Sequence, residues 1–279
     1  MPRDWSRIEC EAIVQDYFEM WAAECRQETY NKSAHRRQLQ KKLDNRSERS
    51  IDSKHQNISA VLIREGHPYI SGYKPLWHFQ SLLADVVSDR LMGSRPDIEK
   101  TEDELIAQVP KWPKIRSVES IFVPPPDRIP EREVRESREF VPRIVNFAER
   151  EARNRSTGKS GEEFVLHIER QRLAALGRAD LAKDVEWTSA EKGDGAGYDI
   201  RSFSGKSDEP LFIEVKTTNS GKYQPFLISA NEVMFSQKNA DRFSLYRVFD
   251  FVRKPAVFRL NGYVSDHVDL SPTLFRAIY

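Results

Sequence analysis

The chain has only two cysteines among its 279 residues, Cys10 and Cys25. They lack CxxC spacing and nearby histidine pairs, which argues against a disulfide framework and a cysteine zinc site. Both are expected to serve as packing residues. No apolar run approaches the roughly 20 residues needed to cross a bilayer. Asp4, Glu9 and Glu11 follow Met1 too closely for a signal peptide. A cytoplasmic protein without membrane contact is therefore expected. Gly158-Lys159-Ser160 and Gly205-Lys206-Ser207 resemble the end of a phosphate-binding loop, but Arg153 and Ile200 stand where its first glycine belongs. Gly193 to Gly197 lacks the strand-to-helix context of a dinucleotide fingerprint, and reads as a turn leading to Asp199. His35, His55, His67 and His78 make no zinc quartet. No internal repeat is found.

Charge is abundant, at 31% of residues, although the net charge is only +1. It is unevenly spread: Arg26, Lys32, Arg36, Arg37, Lys41, Lys42, Arg46, Arg49 and Lys54 fall close together with few acids between them, and Lys32, Arg36, Arg37, Lys41, Lys42, Arg46 and Lys54 are the candidate DNA contacts. That stretch suits either nucleic-acid phosphates or a solvated helix face.

The length accommodates two domains. In the first, Val14, Tyr17, Phe18, Trp21 and Cys25 follow the i, i+3, i+4, i+7 rule of an amphipathic helix, and the aromatic stripe is expected to be core. Ser33 and Ser50 are candidate caps for second and third helices, the third ending at Gly66. Pro75 is placed to open a fourth ahead of Leu76, Phe79, Leu83 and Val86. Residues 1–95 thus read as an all-α helical domain. Residues 96–157 read as a linker because Pro110, Pro113, Pro124 to Pro126, Pro130 and Pro142 interrupt any long element. Short ordered pieces at Leu105 to Val109 and Ile121 to Val123, and a helix over Phe140 to Ala152, are compatible with it.

Residues 158–279 read as a mixed β-sheet domain flanked by helices. A helix over Glu162 to Leu176 stops at Gly177. Strands at Val185 to Trp187, Tyr198 to Phe203 and Leu211 to Thr217 follow, the last two as a hairpin. Ser229 with Glu232 forms a capping box, opening a helix to about Ala240. Phe243 to Phe251 and Val257 to Leu260 resume strand character.

In Leu211-Phe212-Ile213-Glu214-Val215-Lys216-Thr217, alternation puts Glu214 and Lys216 on one face and Ile213 and Val215 on the other. The hairpin can bring Asp199 beside Glu214. Two converging carboxylates repel unless a cation joins them, and Mg2+ suits hard oxygen donors. A neighbouring lysine can orient a water and offset transition-state charge, which is the chemistry of phosphodiester hydrolysis. An isolated E-x-K is more often a surface pair; the preceding Asp199, the upstream Gly161-Glu162 and the apolar strand neighbours favour a site.

Gly161-Glu162, Gly197-Tyr198-Asp199-Ile200, Ile213-Glu214-Val215-Lys216-Thr217-Thr218 and Phe226 to Glu232 together resemble the DUF3883 family, which is similar to PD-(D/E)XK restriction-endonuclease-like nucleases. The resemblance covers about residues 158 to 279. It implies Asp199 and Glu214 as metal ligands, Val215 as a backbone-carbonyl ligand, Lys216 as the catalytic lysine and Glu162 as an additional acid, with Glu163 the competing choice. Gln237, Lys238 and Tyr246 are more readily assigned to packing or surface. Tyr30-Asn31-Lys32, Arg46-Ser47, Lys54 to Leu62 and Gly72 to Pro75 resemble a region attached to HNH and other bacterial restriction-type endonucleases, implying recognition or assembly. His55, Gln56 and Asn57 either contact DNA or form a buried network. The expectation is a Mg2+-dependent DNA endonuclease, with Mn2+ able to substitute, in antiviral defence and as a homodimer. The alternatives are a silent DNA-binding scaffold and an RNA-directed nuclease.

Overall fold

A computed structural model of the chain describes residues 4–108, 117–128 and 147–272. Five helices come first: α1 (Arg7–Cys25), α2 (Lys32–Lys42), α3 (Glu48–Arg64), α4 (Ser81–Gly93) and α5 (Arg95–Ile106). The aromatic stripe of α1 is core, with Val14, Tyr17, Phe18, Trp21 and Cys25 all buried among Ile51, Ile58, Leu62 and Leu83. Cys10 and Cys25 are buried free thiols.

Local capping differs from expectation in an instructive way. Asn31 caps α2 and Ser47 caps α3, each with a side-chain oxygen accepting from the backbone N–H three residues on. Pro75 opens no helix. Asn57 donates to the carbonyls of Leu76 at 2.6 Å and His78 at 3.1 Å, holding that segment outside a helix until Ser81. Asn57 therefore belongs to the buried network that the sequence left open. Gly66 ends α3 at φ +75° as expected.

Helix α5 extends the helical layer past residue 95, because Ile98 and Leu105 join the core under α1. Val118–Ile121 is a turn of 3-10 helix, and Phe122 bridges Val257 in a parallel sense. The expected helix over Phe140 to Ala152 lies partly outside the described residues; the helix α6 spans Phe147–Ala175 and ends before Gly177, at φ +77°.

The remaining elements are α7 (Ala179–Lys183), β1 (Glu186–Trp187), α8 (Thr188–Lys192), β2 (Ile200–Phe203), β3 (Pro210–Thr217), α9 (Ala230–Lys238), β4 (Phe243–Phe249) and β5 (Ala256–Asn261). The strands form one five-stranded sheet in chain order, parallel between β3 and β4 and antiparallel elsewhere. Behind the helical layer this is the expected mixed sheet with flanking helices. One face packs Ile213 and Val215 against Phe164, Val165 and Ile168 of α6. The other gathers Phe243, Leu245, Phe212 and Phe235, closed by α9. The helical layer grips the loop after β3: Asn219 donates to the Leu105 carbonyl at 2.8 Å, and the Tyr223 N–H to Tyr69 Oη at 3.1 Å. Arg253 pairs with Glu24 at 2.8 Å. Among the described residues, no helix is long and apolar enough to cross a membrane.

Candidate functional site

Strand β3 is the spine of the site. Its alternation buries Ile213 and Val215 against α6, and so turns Glu214 and Lys216 together to the opposite face. Glu214 is 2% exposed, and its Oε1 lies 2.7 Å from Lys216 Nζ. The ammonium also donates to Glu232 Oε2 at 3.0 Å. Glu232 is held for this contact by its place in α9, where the Ser229 N–H donates to the same oxygen at 2.9 Å in a complete capping box. The capping signature was legible in the sequence, but its second task was not, because only the parallel β3–β4 crossover brings the start of α9 over β3.

Asp199 sits just ahead of β2. Its N–H donates to the Ile213 carbonyl at 2.9 Å, and its Oδ2 accepts from the Val215 N–H at 2.8 Å. The hairpin thus fastens the carboxylate to the strand that carries Glu214, through the backbone of Val215. Glu162 comes from the opposite direction on α6. Gly161 permits that approach: a Cβ there would lie 1.8 Å from Thr217 Oγ1, so only glycine lets the helix lie this close to β3. Glu162 Oε2 accepts from Trp187 Nε1 at 2.8 Å and from Ser189 Oγ. Glu163 is exposed, which leaves Glu162 as the acid facing the sheet. Trp187 and Ser189 carry no chemical signature in the sequence, and only folding assigns them to Glu162.

The electrostatics are those of an acidic cluster in which Lys216 faces Glu214 and Glu232. Burial, reinforced by the charge of Glu162, pushes the Asp199 carboxyl up to about 7 despite the Val215 N–H. Burial also raises the Glu214 carboxyl well above its usual range, with Asp199 adding to the effect and Lys216 opposing it. Burial works against the Lys216 ammonium, but Glu214 and Glu232 outweigh it and raise its pKa. This donor set fits a hard divalent cation: the buried Glu214 and the half-buried Asp199 both resist ionisation, and an ion held by both would offset both penalties. The side chains are not drawn tightly around one point. Among the described residues, the group of three or more donor side chains within 4.8 Å of one another is Asp16, Glu19 and His35, in the helical layer.

A protein-family profile matches here. It is described as Protein NO VEIN, C-terminal, and covers residues 161–260. The NO VEIN C-terminal match begins at Gly161 and takes in Glu162, Asp199, Glu214, Val215, Lys216 and Glu232, so the residues gathered around β3 all lie within it. No curated protein and no solved structure matches the chain.

Tyr246, a packing expectation, is fully buried; it donates to Glu169 Oε1 at 3.0 Å, and Ser202 Oγ donates to Oε2 at 2.6 Å. Arg172 pairs with the same carboxylate at 2.8 Å. This network ties α6 to β2 and β4. Gln237 and Lys238 are exposed.

The basic residues divide by environment. Arg37, Lys41 and Lys42 are exposed along α2. Arg36 pairs with Asp52 at 2.9 Å and Glu48 at 3.0 Å. Arg46 pairs with Glu9 at 2.8 Å and stacks over Trp5. Lys32 lies 4.0 Å over the Tyr73 ring and Lys54 5.4 Å over Trp5, and burial lowers the pKa of both. The fold therefore already employs Arg36, Arg46, Lys32 and Lys54, leaving Arg37, Lys41 and Lys42 as the outward charges of α2.

Proposed function

We propose that the sheet domain is a Mg2+-dependent endonuclease of restriction type acting on DNA, with Mn2+ able to substitute. The observation that carries this reading is the pairing of buried Glu214 with Lys216 on β3, with Asp199 fastened to the same strand through the Val215 N–H. The DUF3883 and PD-(D/E)XK resemblance supports it.

Asp199, Glu214 and the Val215 carbonyl would hold the ion. When bound, Mg2+ would supply charge stabilisation to a scissile phosphate and lower the pKa of a bound water. Lys216, held between Glu214 and Glu232, is placed to orient the attacking water and to offset charge developing on the phosphate. Glu162 is held by Trp187 and Ser189 with its carboxylate toward the sheet, where it can accept a proton from that water. The helical layer would select the DNA, with Arg37, Lys41 and Lys42 meeting phosphates. Cutting both strands calls for two such sites, hence a homodimer, and the reading places the enzyme in the cytoplasm, in defence against foreign DNA.

One feature favours a silent scaffold instead: two carboxylates already engage Lys216. The experiment compares cleavage of unmodified duplex DNA, base-modified duplex DNA and structured RNA, each with Mg2+, Mn2+ or EDTA. Metal-dependent DNA cutting is expected. DNA binding without cutting in any metal would favour the scaffold, and preferential cutting of RNA would replace DNA as substrate.

A further inference from the structure

A second constellation lies in the helical layer and is independent of the nuclease reading. Asp16 and Glu19 stand one turn apart on α1, and His35 faces them from α2; one donor atom from each falls within 4.8 Å of the others. Asp16 is 8% exposed, and its Oδ1 lies 2.7 Å from His35 Nδ1. Gln15 Nε2 donates to Glu19 Oε1 at 2.9 Å, so the exposed Glu19 still has a free oxygen.

Beneath the carboxylates lies His55 of α3, wholly buried between the rings of Tyr17 and Tyr73. Its Nε2 is 3.2 Å from Asp16 Oδ2, yet neither His55 nitrogen nor that oxygen makes a hydrogen bond. A buried imidazole and a buried carboxylate oxygen left misaligned at such short range are costly.

We propose that Asp16, Glu19 and His35 bind a divalent transition-metal ion of the Zn2+ class, with His55 as the positioning residue for the Asp16 carboxylate. Imidazole combined with carboxylates suits Zn2+ and its neighbours, whereas Mg2+ prefers oxygen donors alone. Zn2+ with bonds of about 2.0–2.2 Å spaces tetrahedral donors roughly 3.3–3.6 Å apart, so the 2.7 Å Asp16–His35 pair has to open while the exposed end of Glu19 closes in, both by side-chain rotation. Three protein ligands leave a fourth position for water. A hydrogen bond from a buried ring to a ligating carboxylate is the usual outer support of such sites. The site also answers a need of the fold. Leu39 is the buried residue of α2, so this helix, which carries Arg37, Lys41 and Lys42, has little apolar anchorage. An ion shared by α1 and α2 would fix it.

The test titrates the EDTA-stripped full chain with ZnCl2 by calorimetry and with CoCl2 by visible absorption. One ion per chain is expected, with a cobalt spectrum showing nitrogen and oxygen ligation. Glu19→Gln, an exposed change that does not threaten folding, and His35→Gln should each weaken binding at least about tenfold. His55→Gln should weaken it about 10–100-fold and shift the cobalt bands, with circular dichroism unchanged. Glu214→Gln should leave it unaltered. Absence of Zn2+ uptake, or binding indifferent to both Glu19→Gln and His35→Gln, would overturn the proposal. Loss only in Glu214→Gln would also overturn it, placing the ion at the β3 site and leaving the nuclease reading intact.

Discussion

Replacing Asp199 by asparagine should stabilise the metal-free protein at alkaline pH and, if the proposed site is right, remove any stabilisation by Mg2+. The Asp199 carboxyl is raised by burial and by Glu162 from 3.8 to about 7. The folded state therefore keeps a proton that the unfolded chain releases. Such a group contributes stability below its unfolded pKa and loses it as pH rises through the folded value, here between about pH 4 and 7. At about 1.4 kcal/mol per pH unit the full loss is roughly 4 kcal/mol, and partial access to water reduces this to about 2 kcal/mol. Asparagine retains an oxygen to accept from the Val215 N–H and carries no charge. Urea unfolding in EDTA should thus show Asp199→Asn close to wild type at pH 4.5 and more stable by about 2 kcal/mol at pH 8. Added Mg2+ should reverse the order at pH 8 by stabilising only the wild type. A variant less stable than wild type at pH 8, or a difference that does not vary with pH, would refute the electrostatic account of the site.

Lys216→Met leaves Glu214 and Glu232 without their shared cation, so unfolding in EDTA at pH 8 should show a loss of about 3–5 kcal/mol. Gly161→Ala drives a methyl into Thr217 and should cost about 1–3 kcal/mol by denaturant titration, part of which Thr217→Ala should recover in the double variant. Glu169→Ala strands Tyr246 and Ser202 in the interior and leaves Arg172 only its carbonyl partners; a thermal melt should report a loss of about 3 kcal/mol. Neutralising Arg37, Lys41 and Lys42 together should flatten the log–log salt dependence of DNA binding by up to about 3. An unchanged slope would return α2 to a merely solvated face.

What could be read from the sequence was what local periodicity and turn chemistry encode. The stripe of α1, the β2–β3 hairpin, the Ser229–Glu232 box and the stop at Gly177 each depend on residues within a few positions of one another. Errors arose where a distant side chain decides. Asn57, nineteen residues from Leu76, takes carbonyls that a helix after Pro75 would need. Helix α5 escapes the sequence reading for a local reason: a linker from residue 96 starts at Pro96, which sits in the first helical turn, where no backbone donor is lost. At the site, the pairing of Glu214 and Lys216 follows from strand alternation alone. Glu232, Trp187 and Ser189 required the crossover and the approach of α6. The division of the basic residues was illegible for the same reason: Glu9, Glu48 and Asp52 reach Arg46 and Arg36 only once the helices are packed.

In the proposed function Asp199, Glu214 and Lys216 together perform metal-dependent phosphodiester hydrolysis. Its most direct test is cleavage of supercoiled plasmid in Mg2+, with EDTA as control, by wild type and by Asp199→Ala, Glu214→Ala and Lys216→Ala. Cutting by the wild type alone, with Lys216→Ala still binding Mg2+ but not hydrolysing, is the predicted result. Undiminished cutting by any of the three variants would contradict it.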